Sequence, residues 1–317
     1  SIMKLQEVYQ LAIDLGIKHD FRSKEAINRL LERHKKKYDK LEAKERTEYD
    51  KEHLTNPYSD TRILNAADAK KPIKKVLAGI DMEPAELLLA DKLGVDMVIA
   101  HHPEGVGLAG LDEVMHLQAD IMAMYGVPIN VAESLLHMRI EEVSRGISPI
   151  NHNRSVDMAR HLGLNFMCVH TPTDNMVAQF VRKEIEAKEH EYVEDVLETL
   201  KAIPEYHHAI AHKAGTRLFT GKPGNRAGKI ALTELTGGTE GSPEIYERLA
   251  QAGVGTIIGM HMSEKHTKAA KEAHINAIIA GHMSSDSIGM NLFLDELEKQ
   301  GVEVIATSGL DRVSRVK

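Results

Sequence analysis

Histidines and carboxylates cluster directly after four apolar stretches of this sequence. His101 and His102 follow the apolar run 95–100 without a spacer. The other three clusters are His170 to Asp174 after 166–169, His261 to Glu264 after 256–260, and His282 to Asp286 after 275–280. Ligands of open α/β sheets bind at the carboxyl ends of strands, where the loops converge. We therefore expect the four clusters to face one cleft.

The residue types in these clusters favour metal binding. Pro103 ends the strand directly after His101 and His102, so both imidazoles can turn into the same cleft. His282 and Asp286 are one helical turn apart and share a face if a helix begins there. Histidine together with carboxylate suits Zn, Mn or Fe. The single cysteine, Cys168, excludes a thiolate site and an internal disulfide.

Other motifs give weaker indications. The segment 221–229 has the wrong glycine spacing for a phosphate-binding P-loop, although its basic residues could meet an anionic substrate. The segment 237–243 is consistent with an anion site, with Ser242 as N-cap and Pro243 as the first helical residue, or with a glycine-rich turn. The pair His207-His208 is interpreted as part of a solvated loop. No Gly-x-Ser-x-Gly motif supports acyl transfer.

From residue 71 onward, short β-rich runs alternate with helical patterns, which predicts two α/β lobes with mixed sheets. Strands are predicted at 76–80, 95–100, 128–131, 166–169, 230–235, 256–260, 275–280 and 302–307, and helices at 84–93, 113–125, 155–162, 184–200 and 286–300. Ser284 or Ser285 is the expected cap of the last helix. The predicted division is a helical extension at 1–70, a first lobe at 71–187, a connecting segment at 188–228 and a second lobe at 229–317.

The first sixty residues have a different pattern. An apolar stripe at helical spacing, with Ser23 as the expected N-cap of a second helix, is surrounded by charged residues, and 56–60 breaks the helix. Three interpretations stay open: an amphipathic helix packed on its own domain, an arm between subunits, or a nucleic-acid contact through the basic run 35–37.

Composition narrows the function classes. Apolar residues make up 42% and charged residues 27%, which is typical of a folded chain. The net charge of −7 argues against nucleic-acid binding over the whole surface, although a local basic patch remains possible. No apolar stretch approaches the ~20 residues of a membrane span, and no signal pattern begins the sequence. We expect a cytoplasmic protein.

Three runs resemble the NGG-one-interacting-factor-three-like family, whose members are often labelled GTP cyclohydrolase I type 2. They are the Asp-x-Val-Ile-x-His-His-Pro run at 96–103, the His-Thr-x-x-Asp run at 170–174 and the Gly-His-x-x-x-acid run at 281–286. The resemblance spans residues 75–312. It implies a two-lobed α/β fold, a homohexameric ring and a site for two divalent metal ions (Zn, Mn or Fe) between the lobes. The ligands that it implies are His101, His102, Asp174, His282 and Asp286.

The chain departs from the family pattern at two positions. Asp286 stands where the family usually has Glu, and His261 stands where it has a carboxylate. The favoured function is a metal-dependent hydrolase that acts on a small substrate, for example a nucleotide-like one, with Glu264 or His261 as proton shuttle. The alternative is a non-catalytic metal-holding ring that binds a nucleotide, nucleic acid or protein and regulates it.

Overall fold

Short apolar runs form the strands because they are covered on both faces. Every residue of the strands Met97–Ala100, Asn165–Cys168 and Asn276–Ile279 is buried. The computed structural model describes residues 2–317, which contain nine strands. In chain order they are β1 Arg62–Asn65, β2 Lys75–Gly79, β3 Met97–Ala100, β4 Asn165–Cys168, β5 Arg217–Thr220, β6 Lys229–Glu234, β7 Val254–Gly259, β8 Asn276–Ile279 and β9 Glu303–Thr307.

The strands form two mixed sheets of similar design. The first has the order β1-β4-β3-β2-β9, and the second has the order β5-β8-β7-β6. In each sheet one edge strand, β1 or β5, is antiparallel to its neighbour, and all other pairs are parallel. The predicted fold class, two α/β lobes with mixed sheets, is confirmed.

Helices cover both faces of both sheets. In chain order they are α1 Leu5–His19, α2 Lys24–Asp39, α3 Ala43–Glu48, α4 Pro84–Leu93, α5 Gly105–Ala109, α6 Leu111–Val114, α7 Leu117–Met124, α8 Ile129–Ile147, α9 Arg154–Leu162, α10 Thr171–Glu186, α11 Val193–Lys201, α12 Pro204–Ala211, α13 Ile245–Gln251, α14 Glu264–Glu272 and α15 His282–Lys299, with a 3-10 turn at Lys51–Leu54. No helix within residues 2–317 is both long and apolar enough to cross a membrane.

Helices α10 and α15 lie between the two sheets and connect their cores. Met290 and Phe293 of α15 pack with Ile99 of the first sheet. Ile288 of the same helix packs with Ile258 and other residues of the second sheet. Helices α4 and α9 cover the outer face of the first sheet, and α7, α8, α13 and α14 contribute to the outer core of the second. The residues at the start of α10 and α15 therefore lie where the lobes meet.

The N-terminal extension packs on its own chain. The apolar face of α1, including Leu5, Val8 and Ile13, is buried in the core of the first lobe, and α1 contacts α10. Helix α2 begins after Ser23, whose side chain accepts a hydrogen bond from the amide of Ala26, as an N-cap does. This arrangement corresponds to the first interpretation of the segment, an amphipathic helix packed on its own domain.

Three predicted elements differ from the structure. The predicted helix 184–200 is divided between the end of α10 and α11, with a non-helical segment at 187–192. The run 128–131, predicted as a strand, begins helix α8, because the buried residues that follow, Ala132, Leu136 and Ile140, keep helical spacing. Helix α15 begins at His282 instead of after Ser284 or Ser285, because Gly281 adopts a positive φ of 133° and turns the chain directly into the helix.

Three strands pair outside the segments to which the sequence assigned them. Strand β1, from the predicted helical extension 1–70, pairs with β4 in the first sheet. Strand β9, placed by the sequence in the second lobe, pairs with β2 in the first sheet. It does so because α15 runs between the sheets and leads the chain back to the first. Strand β5, from the predicted connecting segment, joins the edge of the second sheet beside β8. The domain boundaries at residues 71, 188 and 229 stay a prediction.

Candidate metal centre

The carboxyl ends of three parallel strands bring histidines and aspartates together. His101 and His102 follow β3, His170 follows β4, and His282 follows β8 of the other sheet. Asp174 lies in the first turn of α10. His101 Nε2 is 3.3 Å from Asp174 Oδ1 and 3.1 Å from Asp286 Oδ1, so residues of both lobes meet.

Asp286 lies at the centre of this cluster. Its Oδ1 atom faces His101, and its Oδ2 atom is 3.1 Å from Nε2 of both His102 and His282. The side chain is 1% exposed, so these histidine nitrogens take the place of water around it. A carboxylate placed in this way would be able to hold a cation on each of its oxygens.

In three histidines of the cluster, the ring nitrogen Nδ1 already makes a hydrogen bond to a protein acceptor. His101 Nδ1–H donates to the carbonyl of Val169 (3.0 Å), which fixes its tautomer because a carbonyl can only accept. His102 Nδ1–H donates to Asp81 (2.6 Å) and His170 Nδ1–H to buried Asp60 (2.8 Å). When the ring is neutral, its lone pair is therefore on Nε2 and is directed toward the cluster, as in a metal-ligating histidine whose second nitrogen is held by an outer partner.

Two buried atoms of the cluster have no hydrogen-bond partner within residues 2–317. They are His101 Nε2 and Asp174 Oδ1, which face each other across 3.3 Å. When His101 is neutral, two buried lone pairs face each other here, which is costly because both are unpaired and they repel. A cation between them removes both costs, so the donor set fits a metal ion.

Three overlapping groups of potential ligand atoms lie within 4.8 Å of one another. Each group contains nitrogen ligands, and two contain carboxylates, which is the ligand chemistry of Zn, Mn or Fe. The groups are His101, His102 and His170; His102, His282 and Asp286; and His101, Asp174 and Asp286. All five residues that the family resemblance implied as ligands are therefore brought together.

The electrostatic field of the cluster favours positive charge. Burial alone would lower the pKa of His101, but the charges of Asp286 and Asp174 raise it well above its usual value. Burial likewise opposes the charged form of His102, yet hydrogen bonds with Asp286 and Asp81 raise its pKa to about 9. Burial would raise the pKa of Asp286, but the surrounding histidines, His101 first, hold it well below its usual value. The site is built to hold cations.

Comparison with solved structures shows which proteins the chain resembles. The crystal structure of a NIF3 superfamily protein from Sphaerobacter thermophilus superposes with a TM-score of 0.69 and 29% sequence identity, covering 80% of this chain and 92% of that one. The chain is similar to the NIF3 superfamily over most of its length. Reduced HcgD from Methanocaldococcus jannaschii shares the fold at a TM-score of 0.53 and 17% identity, over 86% of this chain and 98% of that one. No protein-family model and no curated protein matches the chain.

In this NIF3-like protein a cavity of about 310 Å³ adjoins the cluster. His102, Asp174, His282 and Asp286 line one side of it, and the loop after β6 and His261 after β7 line another. His261 Nδ1 lies 2.8 Å from Glu240 Oε1, and this hydrogen bond raises the pKa of His261. The imidazole ring of His261 is 4.7 Å from that of His282.

Glu264 does not belong to this group. It is exposed at the start of α14 and is absent from the lining of the cavity. The carboxylate that contacts His261 is Glu240, which also lies 3.2 Å from His266 Nδ1. The segment 237–243 likewise supplies no helix start at Ser242, because α13 begins only at Ile245. Buried Cys168 donates to the carbonyl of Asp60, and burial raises its pKa to about 12, so it is no nucleophile.

Sequence reasoning missed four residues of the site: His170 as a metal-facing imidazole, and Asp60, Asp81 and Glu240 as the carboxylates that hold His170, His102 and His261. Only His170 carried a signal, since it belongs to one of the four polar clusters. Asp60 is 110 residues from its partner, in a segment interpreted as part of a helical extension.

Proposed function

We propose that this NIF3-like protein is a dinuclear metal-dependent hydrolase that acts on a small substrate. The ligands are His101, His102, Asp174, His282 and Asp286, with His170 as a further nitrogen donor. The observation that carries the proposal is the tautomer arrangement: three histidines have Nδ1 committed to fixed acceptors, and their Nε2 atoms converge on two buried aspartates. The adjoining cavity gives a substrate access to the same residues.

Divalent ions bound at this position polarise a substrate oxygen and lower the pKa of water, which is the chemistry of metal-assisted hydrolysis. The protein supplies the proton transfer. His261 lines the cavity with Nδ1 held by Glu240, which leaves Nε2 to take or give a proton there. Burial would raise the pKa of Glu240, but the hydrogen bond with His261 lowers it, so the carboxylate stays charged and orients the ring. Glu240 is a positioning residue.

Metal content of Asp286 variants tests the ligand assignment. An amide cannot bridge two cations, so we expect Asp286→Asn to lose at least one ion per chain relative to the unaltered protein. Asp286→Glu should retain more, since it keeps the carboxylate. All variants are loaded with Zn, Mn or Fe in the same way and desalted, and their metal content is then measured by elemental analysis. Glu296→Gln, on the same helix, is the matched control. Two ions per chain retained in the Asn variant would remove Asp286 from the site.

Turnover tests the hydrolase assignment. The metal-loaded protein is screened against nucleotides, phosphoesters and cyclic amides. On a substrate found in this way, we expect His261→Asn to lower kcat about 10²–10⁴-fold with metal content unchanged. Glu240→Gln should lower kcat less, and Glu272→Gln at an exposed position of α14 serves as the control. A loss of turnover in Glu264→Gln but not in Glu240→Gln would overturn the role of Glu240, and no turnover with any metal would favour the regulatory alternative.

A further inference from the structure

A glycine-rich loop between β6 and α13 forms part of the wall of the cavity beside the metal centre. Residues 238–241 of this loop line the cavity together with the proposed metal ligands. The sequence is consistent with two interpretations of the segment 237–243, an anion site and a glycine-rich turn. Because α13 begins only at Ile245, an anion site in this segment has to consist of loop backbone.

Gln118 holds the first half of the loop 237–241. It comes from α7, and its Nε2 atom donates to the carbonyl of Gly237 (2.6 Å) and to that of Thr239 (2.7 Å). Gly237 has a φ of 109°, which glycine adopts without strain, and a Cβ atom there would lie 2.5 Å from Gln118 Cγ. The absence of a side chain at Gly237 therefore lets Gln118 approach the loop and fix the orientation of two peptide groups.

Two further side chains hold the second half of the loop. Arg139 of α8 donates from Nε to the carbonyl of Glu240 (2.9 Å). His266 of α14 donates from Nε2 to the carbonyl of Gly241 (2.7 Å). Together with the two carbonyls held by Gln118, four of the five carbonyls of the loop are directed toward side chains of α7, α8 and α14.

The amides of the same loop have no acceptor in the protein. A trans peptide group directs its N–H opposite to its carbonyl, so the N–H groups of Gly238, Glu240 and Gly241 point away from the side chains that hold the loop. None of the amides of the loop 237–241 donates a hydrogen bond within residues 2–317. Because Gly238, Glu240 and Gly241 line the cavity, their amides are available to a ligand in it. Backbone amides that face one concavity bind anions.

The surroundings of the loop also favour an anion. Helices α10 and α15 begin at the same cavity, with Asp174 and His282 of their first turns in its lining, and the positive end of a helix dipole attracts anions. The carboxylate of Glu240 is engaged by His261 at 2.8 Å and by His266 at 3.2 Å. The lining described within residues 2–317 contains no Lys or Arg, so an anion at this end relies on backbone amides and on His261.

We propose, on the basis of the metal-centre function above, that the backbone amides of the loop 237–241 hold a phosphate group of the substrate while the bond to be hydrolysed lies at the metal-binding residues. A phosphate monoester has three strong acceptor oxygens, which matches the three N–H groups that point away from the supporting side chains. The substrate class is thus a small phosphorylated molecule. Gln118 is the positioning residue of the loop, because it fixes two of its peptide groups.

Binding of phenylphosphonate to the full chain tests the proposal. Its C–P bond resists hydrolysis, so it measures binding even to an active hydrolase, and benzamide is an uncharged probe of similar size. Calorimetry measures both affinities for the zinc-loaded protein and for the protein after metal removal. We expect Gln118→Met to weaken phenylphosphonate about tenfold or more in both forms, without a matching change for benzamide or a loss of metal. Gln251→Met, at an exposed position of α13, is the matched control.

Arg139→Lys provides a second variant, which keeps the positive charge but moves the donor away from the carbonyl of Glu240. Since it releases one carbonyl instead of two, it should weaken phenylphosphonate by only about threefold. If Gln118→Met does not fold, this variant takes its place in the test.

The proposal is overturned if phenylphosphonate shows no saturation up to about 10 mM, or if the folded variant changes its affinity less than about twofold. A parallel loss of benzamide affinity would also overturn it, because that result indicates general damage to the cavity. Turnover and metal content of the same samples separate the two claims. Phosphonate binding that depends on Gln118 in the metal-free protein would stand without hydrolysis, whereas an active, metal-loaded enzyme without such binding would contradict this inference alone.

Discussion

At the scale of single residues, the site depends on atoms that are not themselves at its centre. The imidazoles of His101, His102 and His170 can present Nε2 only because Val169, Asp81 and Asp60 hold their Nδ1 protons. The same burial that organises the site makes some of its groups unfavourable for stability. Glu234 is the clearest case, since its charge is poorly solvated and one of its oxygens is unpaired.

Glu234→Gln should therefore stabilise the protein at alkaline pH. The pKa of Glu234 rises from 4.5 to about 7 on folding, mainly through burial. The folded state then holds a proton that the unfolded state has released, so the free energy of unfolding falls as pH rises from 4.5 to 7 and stays low above it. We expect the variant to gain about 1–3 kcal/mol at pH 8 and progressively less as pH falls toward 4.5.

Urea denaturation of both proteins at pH 8 and at acid pH gives this comparison. Glu247→Gln, which removes an exposed carboxylate close by, controls for the change in net charge. A variant less stable than the unaltered protein at pH 8 would show that the Tyr246 hydrogen bond outweighs the burial cost.

At the scale of elements, the crossing of α10 and α15 sets the distance between the two aspartates of the site. Gly289 of α15 lies against α10, and a Cβ atom at that position would come within 2.3 Å of the Thr173 carbonyl oxygen. Thr173 is the neighbour of Asp174, and Gly289 lies one helical turn after Asp286. The close contact of these helices is therefore a structural requirement of the site.

Gly289→Ala should separate the helices and weaken the site. The added methyl group meets backbone, which cannot yield as a flexible side chain can, so we expect a loss of about 1–3 kcal/mol of stability and lower metal retention. The control is Gly146→Ala, an exposed position near the end of α8 with nothing within 4 Å of the new Cβ atom. That change should gain about 0.5–1 kcal/mol. Thermal unfolding measures the stability of the two variants, and elemental analysis measures their metal content. If the two variants were equal in both, Gly289 would have no special role.

The 3-10 turn at residues 51–54 is tied to α6 by a pH-dependent contact. His53 Nε2 lies 2.6 Å from Glu113 Oε2, and this hydrogen bond raises the pKa of His53 above 6.5. A raised histidine pKa stabilises the fold below pH 6.5, and the contribution is lost as pH rises through the folded-state value. Because both side chains are partly exposed, Glu113→Gln should cost only about 0.2–1 kcal/mol at pH 5.5 and close to nothing at pH 9. Chemical denaturation of both proteins at the two pH values measures this loss of stability. An equal loss at pH 5.5 and at pH 9 would contradict the prediction.

At the scale of the whole molecule, the family resemblance implies a closed ring of six chains. Leucines of α4 and Met138 of α8 are exposed on the surface of the single chain, with Leu88 at 53% and Met138 at 68%. Apolar side chains of this kind are suited to contacts between subunits. Because the proposed ligands of the metal centre all come from one chain, the ring would enclose the cavity without completing the site.

Multi-angle light scattering should give a mass near six times 35.2 kDa at micromolar concentration. The measurement is made at two protein concentrations, because a ring held by specific contacts should keep its mass on dilution. A monomer at micromolar concentration would contradict the hexamer and leave the metal-centre proposal untouched.

The sequence by itself determined the class of fold and named five of the residues that the structure brings together. Apolar runs such as 95–100 and 275–280 are long enough to specify strands locally, and the polar residues directly after them must lie at strand ends. His101, His102, Asp174, His282 and Asp286 could be named because their positions follow from this local pattern together with the family resemblance. Where the local signal was ambiguous, as at Pro128, the prediction was wrong, since a short apolar run fits a strand and a buried helix equally well.

Only the tertiary structure decided which residues support those ligands. Asp60 reaches His170 because β1 pairs with β4, and Glu240 reaches His261 because the loop after β6 lies beside the end of β7. Glu264 is close to His261 in sequence but points to solvent, because α14 begins there and leads away from the cavity. The physical reason is that strand and helix preferences act over a few residues, whereas side-chain contacts depend on strand order and helix crossing. These are set by burial over the whole chain.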